Sequence, residues 1–135
     1  MSKQLPYIIS GLILGIILFQ SSLIAPAINN LVSSKEASIL LRYIWPKFFI
    51  IIGSLSLFKF FLFNSNSQTS PILKYLSLSS FLFMSFCYFI IPTINEAKDF
   101  SNDQLWIKLH LATIIMTFIV FVFNLFTITS LKYFD

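Results

Sequence analysis

Four long apolar runs occupy most of this chain: Leu5–Ile28, Tyr43–Phe63, Ile72–Ile91 and Leu105–Leu131. Each can cross a bilayer as a helix, because a hydrocarbon core of about 30 Å takes roughly 20 apolar residues. Only short polar segments separate the runs, so little chain remains for a soluble domain. Short connections make successive helices antiparallel neighbours. The expected fold is therefore all-α: a polytopic membrane protein, residues 1–135 forming a single up-down bundle of four transmembrane helices.

Composition supports this and excludes alternatives. Of the residues, 57% are hydrophobic and 10% charged, against about 25% charged in a soluble domain. Within lipid the helices must be held by packing, small residues and polar contacts, since the tails are as apolar as the side chains. The net charge of +4 is carried by basic residues set singly at helix ends, the pattern of headgroup anchoring. The lipid bilayer is the expected partner, and there is no nucleic-acid patch. The lone cysteine, Cys87, excludes an internal disulfide and any CxxC motif; it reads as a small buried hydrophobe. Lys3 and Ala25-Pro26-Ala27 give the first run some likeness to a signal peptide, but its single lysine and its length favour a retained helix. Four spans place both termini on one side. Basic residues are nearly balanced across the two sides, and the clustering of acids opposite the termini gives a lean toward cytoplasmic termini. The expected setting is a bacterial inner membrane.

Helix 1 opens beside Pro6, a favourable first-turn residue, and is expected to end near Pro26. Gly11, Gly15 and Ser22 make a small-residue face suited to close helix packing. Asn29–Leu41 reads as the first loop, with room for a short amphipathic helix. Helix 2 carries Tyr43 and Trp45 at an interface and Pro46 in its first turn, with Lys47 and Lys59 snorkelling to opposite headgroup layers. Gly53 and Ser56 offer a second small-residue face. Helix 3 runs from Pro71 to a stop at Pro92, with Ser77, Ser80, Met84 and Cys87 on one face. Asn95–Asp103 reads as the third loop, and Asn102 or Asp103 as the N-cap of helix 4.

Helix 4 is the most informative. His110, Thr113, Thr117, Val120, Asn124 and Thr127 recur at steps of three, four and seven, which at 3.6 residues per turn is one stripe. Polar groups are costly in lipid without partners, so this stripe must face the bundle interior or a polar cavity. The ends of helices 1, 2 and 3 meet the start of helix 4 where the first and third loops lie. Gln20, Asn95, Asp99, His110, Thr113, Thr117 and Asn124 are the candidate pocket residues, and Pro26, Pro46 and Pro92 the helix-end prolines. The intramembrane His110 has functional readings as a metal or haem ligand or a proton acceptor. Its plainer reading is a histidine bonded to a helix neighbour, with Gln20 and Asn95 in reach. Glu96, Asp99, Asp103 and His110 share a helical frame and would offer cation ligands only if helix 4 began early; the polar Ser101-Asn102 argues for a solvated loop instead. No metal site, catalytic residue or cofactor is expected. A haem held by two histidines is excluded within one chain, since His110 is the only one.

The stretch Phe19-Gln20-Ser21-Ser22-Leu23-Ile24-Ala25-Pro26, followed by Trp45-Pro46-Lys47-Phe48-Phe49, resembles the first helical pair of the transmembrane-protein-205-like family. Ile91-Pro92-Thr93-Ile94-Asn95-Glu96-Ala97-Lys98-Asp99, then Leu109-His110 and Asn124, is similar to its second pair. The likeness covers nearly the whole chain. It departs at Leu111-Ala112-Thr113, where the family more often has a small residue followed by Ser. The resemblance implies four-helix membrane architecture with a polar face and family motif positions at Gln20, Pro26, Pro46, Pro92, Asn95, Asp99, His110 and Asn124, and implies no particular reaction.

The leading functional expectation is a non-enzymatic integral membrane protein. Its polar pocket at the first and third loops would bind a small ligand, an ion or a partner helix. An oligomeric transport or metal-tolerance component is the second reading, because four short helices enclose little space. A haem- or quinone-dependent redox subunit using His110 is the third. A homo-oligomer or a larger membrane complex is the expected assembly.

Overall fold

The computed structural model describes residues 4–134, with side chains to Ser130. Four helical rods make up almost all of it: α1 (Leu5–Leu31), α2 (Ser34–Asn64), α3 (Pro71–Asp99) and α4 (Asp103–Phe134). Every rod is long and apolar enough to cross a membrane, and no strand occurs among the described residues. Each rod packs on its chain neighbours and α4 closes on α1, while the backbones of diagonal pairs stay apart. The protein is thus an all-α, four-helix membrane bundle with up-down connectivity.

The core is built from helical repeats. Ile9, Ile13 and Ile17 of α1 meet Phe48, Phe49 and Ile52 of α2, Met84, Cys87 and Ile91 of α3, and Val120 of α4. Spacings of three and four residues put each set on one side of its rod. Ser77, Ser80, Met84 and Cys87 are all buried on α3, as their shared face requires. Large exposed apolar side chains such as Ile8, Phe58, Phe89 and Phe118 cover the outside, the surface a bilayer solvates.

None of the three helix-end prolines ends its helix. A proline removes one intrahelical bond, but in lipid the alternative to helix is a run of unpaired peptide groups. Pro26 is absorbed by a π-helical turn over Gln20–Ile24, in which the Ala25 N–H reaches the Gln20 carbonyl five residues back. The extra residue in that turn leaves room for the ring. The rod continues to Leu31. Pro46 lies well inside α2 and Pro92 inside α3.

The first loop is accordingly Val32-Ser33, not Asn29–Leu41. Ser33 starts α2 with a reciprocal cap: its hydroxyl accepts from the Glu36 N–H at 3.4 Å and donates to the Glu36 carboxylate at 2.6 Å. Ser33-Ser34-Lys35-Glu36 carries the capping-box sequence signature, with the Glu36 carboxylate here accepting from the Ser33 hydroxyl rather than from its backbone N–H. At the far end of α3, Ser101 takes a left-handed φ of 55°. The Asn102 N–H then bonds Ala97 O at 2.8 Å and the Ser101 N–H bonds Lys98 O at 3.2 Å, the pair of bonds of a Schellman stop. Asn102 Oδ1 accepts from the Leu105 N–H at 3.2 Å and caps α4. Asn95 and Asp99 are therefore helical rather than loop residues.

The small-residue face of α1 points outward. Gly11, Gly15 and Ser22 are exposed. An added Cβ would meet nothing within 4 Å at Gly15 and only Ile128 at 3.8 Å from Gly11. The isoleucine face of α1 carries the packing instead. Gly53 does serve close approach: its Cβ would sit 3.5 Å from Met84 Cβ on α3.

Candidate functional site: a cavity and a buried lysine

The interior holds two polar centres, one toward each end of the bundle. At the first- and third-loop end, α1, α2, α3 and α4 surround a cavity of ≈ 270 Å³. Asn95 of α3 lines it with His110 and Thr113 of the α4 stripe, together with Asn29, Ser38, Arg42, Trp45, Phe49, Lys98 and Trp106. Helices that outrun their prolines build these walls: Ser38, Arg42 and Trp45 precede Pro46, and Asn95 and Lys98 follow Pro92.

Aromatic rings fix the cavity's shape. Trp106 lies flat on His110, with centroids 5.2 Å apart and planes 6° apart. Lys98 Nζ sits 4.4 Å from the Trp106 centroid, a cation–π distance. Trp45 stacks on Phe49 at 5.7 Å. Across the rim, Arg42 of α2 forms a two-pronged ion pair with Asp99 of α3, one bond being 3.1 Å. Asp99 itself is outside the lining, as are Glu36, Glu96 and Asp103. No group of three His, Cys, Asp or Glu side chains converges among the described residues.

A second, more apolar groove of ≈ 310 Å³ runs between α1 and α4, lined by Ile17, Leu18, Ser21, Ile114, Thr117, Phe118 and Phe121. It shares Trp45 and Thr113 with the first cavity. Thr117 belongs here rather than beside His110. Gln20 is buried at the π turn with its Nε2 unpartnered and lines neither space. Gln20 and Asn95 are not the ring partners of His110; Trp106 is.

The other polar centre was not expected. Lys59 does not snorkel to the headgroups: it is 0% exposed. Its Nζ donates to Asn124 Oδ1 at 2.6 Å and to Ser10 Oγ at 3.1 Å. The donors of those partners are already committed, Asn124 Nδ2 to Val120 O at 2.8 Å and the Ser10 hydroxyl to Pro6 O at 3.2 Å, so both turn an oxygen toward the amine. The lysine spans the diagonal from α2 to α4 and also holds α1. Ser56, one turn earlier on α2, is buried with an unpartnered hydroxyl. Asn124 thus belongs to this centre and not to the cavity. The sequence signal was present: Ile52, Ser56, Lys59 and Phe63 follow steps of four, three and four, one inward stripe.

No protein family, no curated protein and no solved structure matches the chain.

Proposed function

We propose that the chain is a non-enzymatic integral membrane protein of a bacterial inner membrane, with both termini cytoplasmic. It binds a small ligand in the cavity at the first- and third-loop end. The observation that carries this reading is the cavity itself: all four rods contribute to it, and it combines apolar walls with a few convergent polar groups, the usual make-up of a ligand pocket. Its ≈ 270 Å³ lies near the lower end of the usual pocket range of about 300–1,000 Å³, which suits a small molecule or one headgroup. Lys59, Ser10 and Asn124 are the structural pin of this reading, holding three rods in register while the other end stays open. The likeness to the transmembrane-protein-205-like family is part of the same proposal, as is assembly with a second copy or a larger complex along the uncovered Gly11/Gly15 face.

Native mass spectrometry of protein purified from its own membrane tests the reading. The wild type should carry one discrete added mass. Ala37 is buried in the cavity wall, and Ala37→Phe should lose that mass at unchanged membrane abundance. A wild type without bound mass, or a variant that keeps it, overturns the proposal.

A further inference from the structure

Resting on that reading of the cavity, we infer that its occupant is a single-chain amphiphile with an oxyanionic head, a phosphate or a carboxylate, seated at Arg42 and Lys98, with its tail in the groove between α1 and α4. Charge decides the head. Arg42 and Lys98 both line the cavity, and none of the described acids does. Asp99 holds Arg42 from the rim and is exposed, with 55% of its side chain accessible, so the guanidinium can exchange that carboxylate for an oxyanion arriving from the cavity side. Arg presents paired donors in a geometry suited to carboxylate and phosphate. Lys98 rests on an indole face and has no carboxylate partner among the described residues. Asn95 and His110 add hydrogen-bonding groups beside the two cations.

Shape decides the tail. The ≈ 310 Å³ groove meets the cavity at Trp45 and Thr113, and Ile17, Leu18, Ile114, Phe118 and Phe121 make it apolar. Two adjacent spaces that share Trp45 and Thr113 in their walls, one cationic and one apolar, match a molecule with one acidic end and one alkyl chain. A dialkyl lipid would leave its second chain outside the groove, in the bilayer.

The test is a titration of decyl phosphate into the protein in phosphatidylcholine nanodiscs, read by tryptophan fluorescence against empty discs. Both tryptophans of the chain, Trp45 and Trp106, line the cavity. Saturable binding is expected. Arg42→Gln should weaken it about tenfold, the size of one lost charged hydrogen bond. Asp99→Asn should leave it unchanged or tighten it, because that change frees the guanidinium. A ring in the groove, Ser21→Phe, should weaken decyl phosphate and spare butyl phosphate. If Asp99→Asn weakens binding as much as Arg42→Gln, the ion pair is merely structural and the inference fails. Equal binding of decyltrimethylammonium refutes the anionic class while leaving the pocket standing; binding of neither amphiphile refutes the pocket as well. Adding phosphatidylglycerol to the discs separates the sources: competition supports a lipid phosphate as the natural head, and its absence supports a free amphiphile.

Discussion

Lys59 meets two oxygens whose own donors are already spent on helix carbonyls. A long, flexible side chain is what the diagonal of a four-rod bundle requires, and small residues at Ser10 and Ser56 leave it room. Removing one partner of such a network should cost more than removing both, because an orphaned buried polar group bears the full desolvation penalty. Asn124→Leu should therefore destabilise the bundle by about 1–3 kcal/mol. Lys59→Met combined with Asn124→Leu should be less destabilised than the sum of the two single changes, by about 1 kcal/mol, the scale of polar couplings between transmembrane helices. Reversible unfolding in bicelles measures all three variants. Additive losses would mean that the lysine and the asparagine do not act together.

Among the elements, the four rods, their order and the inward stripe of α4 were legible in the sequence, because apolar length and period are properties of the chain itself. Helix ends were not. Pro26 and Pro92 read as stops and Pro46 as a start by the rules of water, where a broken helix finds other partners. In lipid the same residues are bypassed, one of them through a π turn. Ser33-Ser34-Lys35-Glu36 was the stronger local signal for where α2 starts. His110 and Thr113 were legible as pocket residues because a polar stripe on an apolar span favours the interior, whereas Asn95 reads as a loop residue and reaches the cavity because α3 runs past Pro92. Asn124 obeyed the same rule but joined a partner that sequence position had assigned to the headgroups. Two glycines separate packing from appearance. Gly53→Leu should push α2 from Met84 and cost about 1–3 kcal/mol. Gly15→Leu should stay within about 0.5 kcal/mol in the monomer, since its Cβ enters open space. A thermal scan in detergent that ranks them the other way would contradict this assignment of faces.

At the scale of the molecule, the bundle is pinned at one end and open at the other. Ser10, Lys59 and Asn124 tie three rods near the Ser65–Ser70 connection, while the Arg42–Asp99 pair and the Lys98–Trp106–His110 stack surround a space rather than fill one. The hollow end is where the chain keeps both of its tryptophans. The most direct measurement is ¹⁹F NMR of protein labelled with 5-fluorotryptophan. It is recorded as isolated from its own membrane, after exhaustive detergent washing, and after an extract of that membrane is restored. The Trp45 and Trp106 signals should move together on washing and return together with the extract. Signals that stay in place through all three states, or one that moves without the other, would contradict a shared ligand cavity between them.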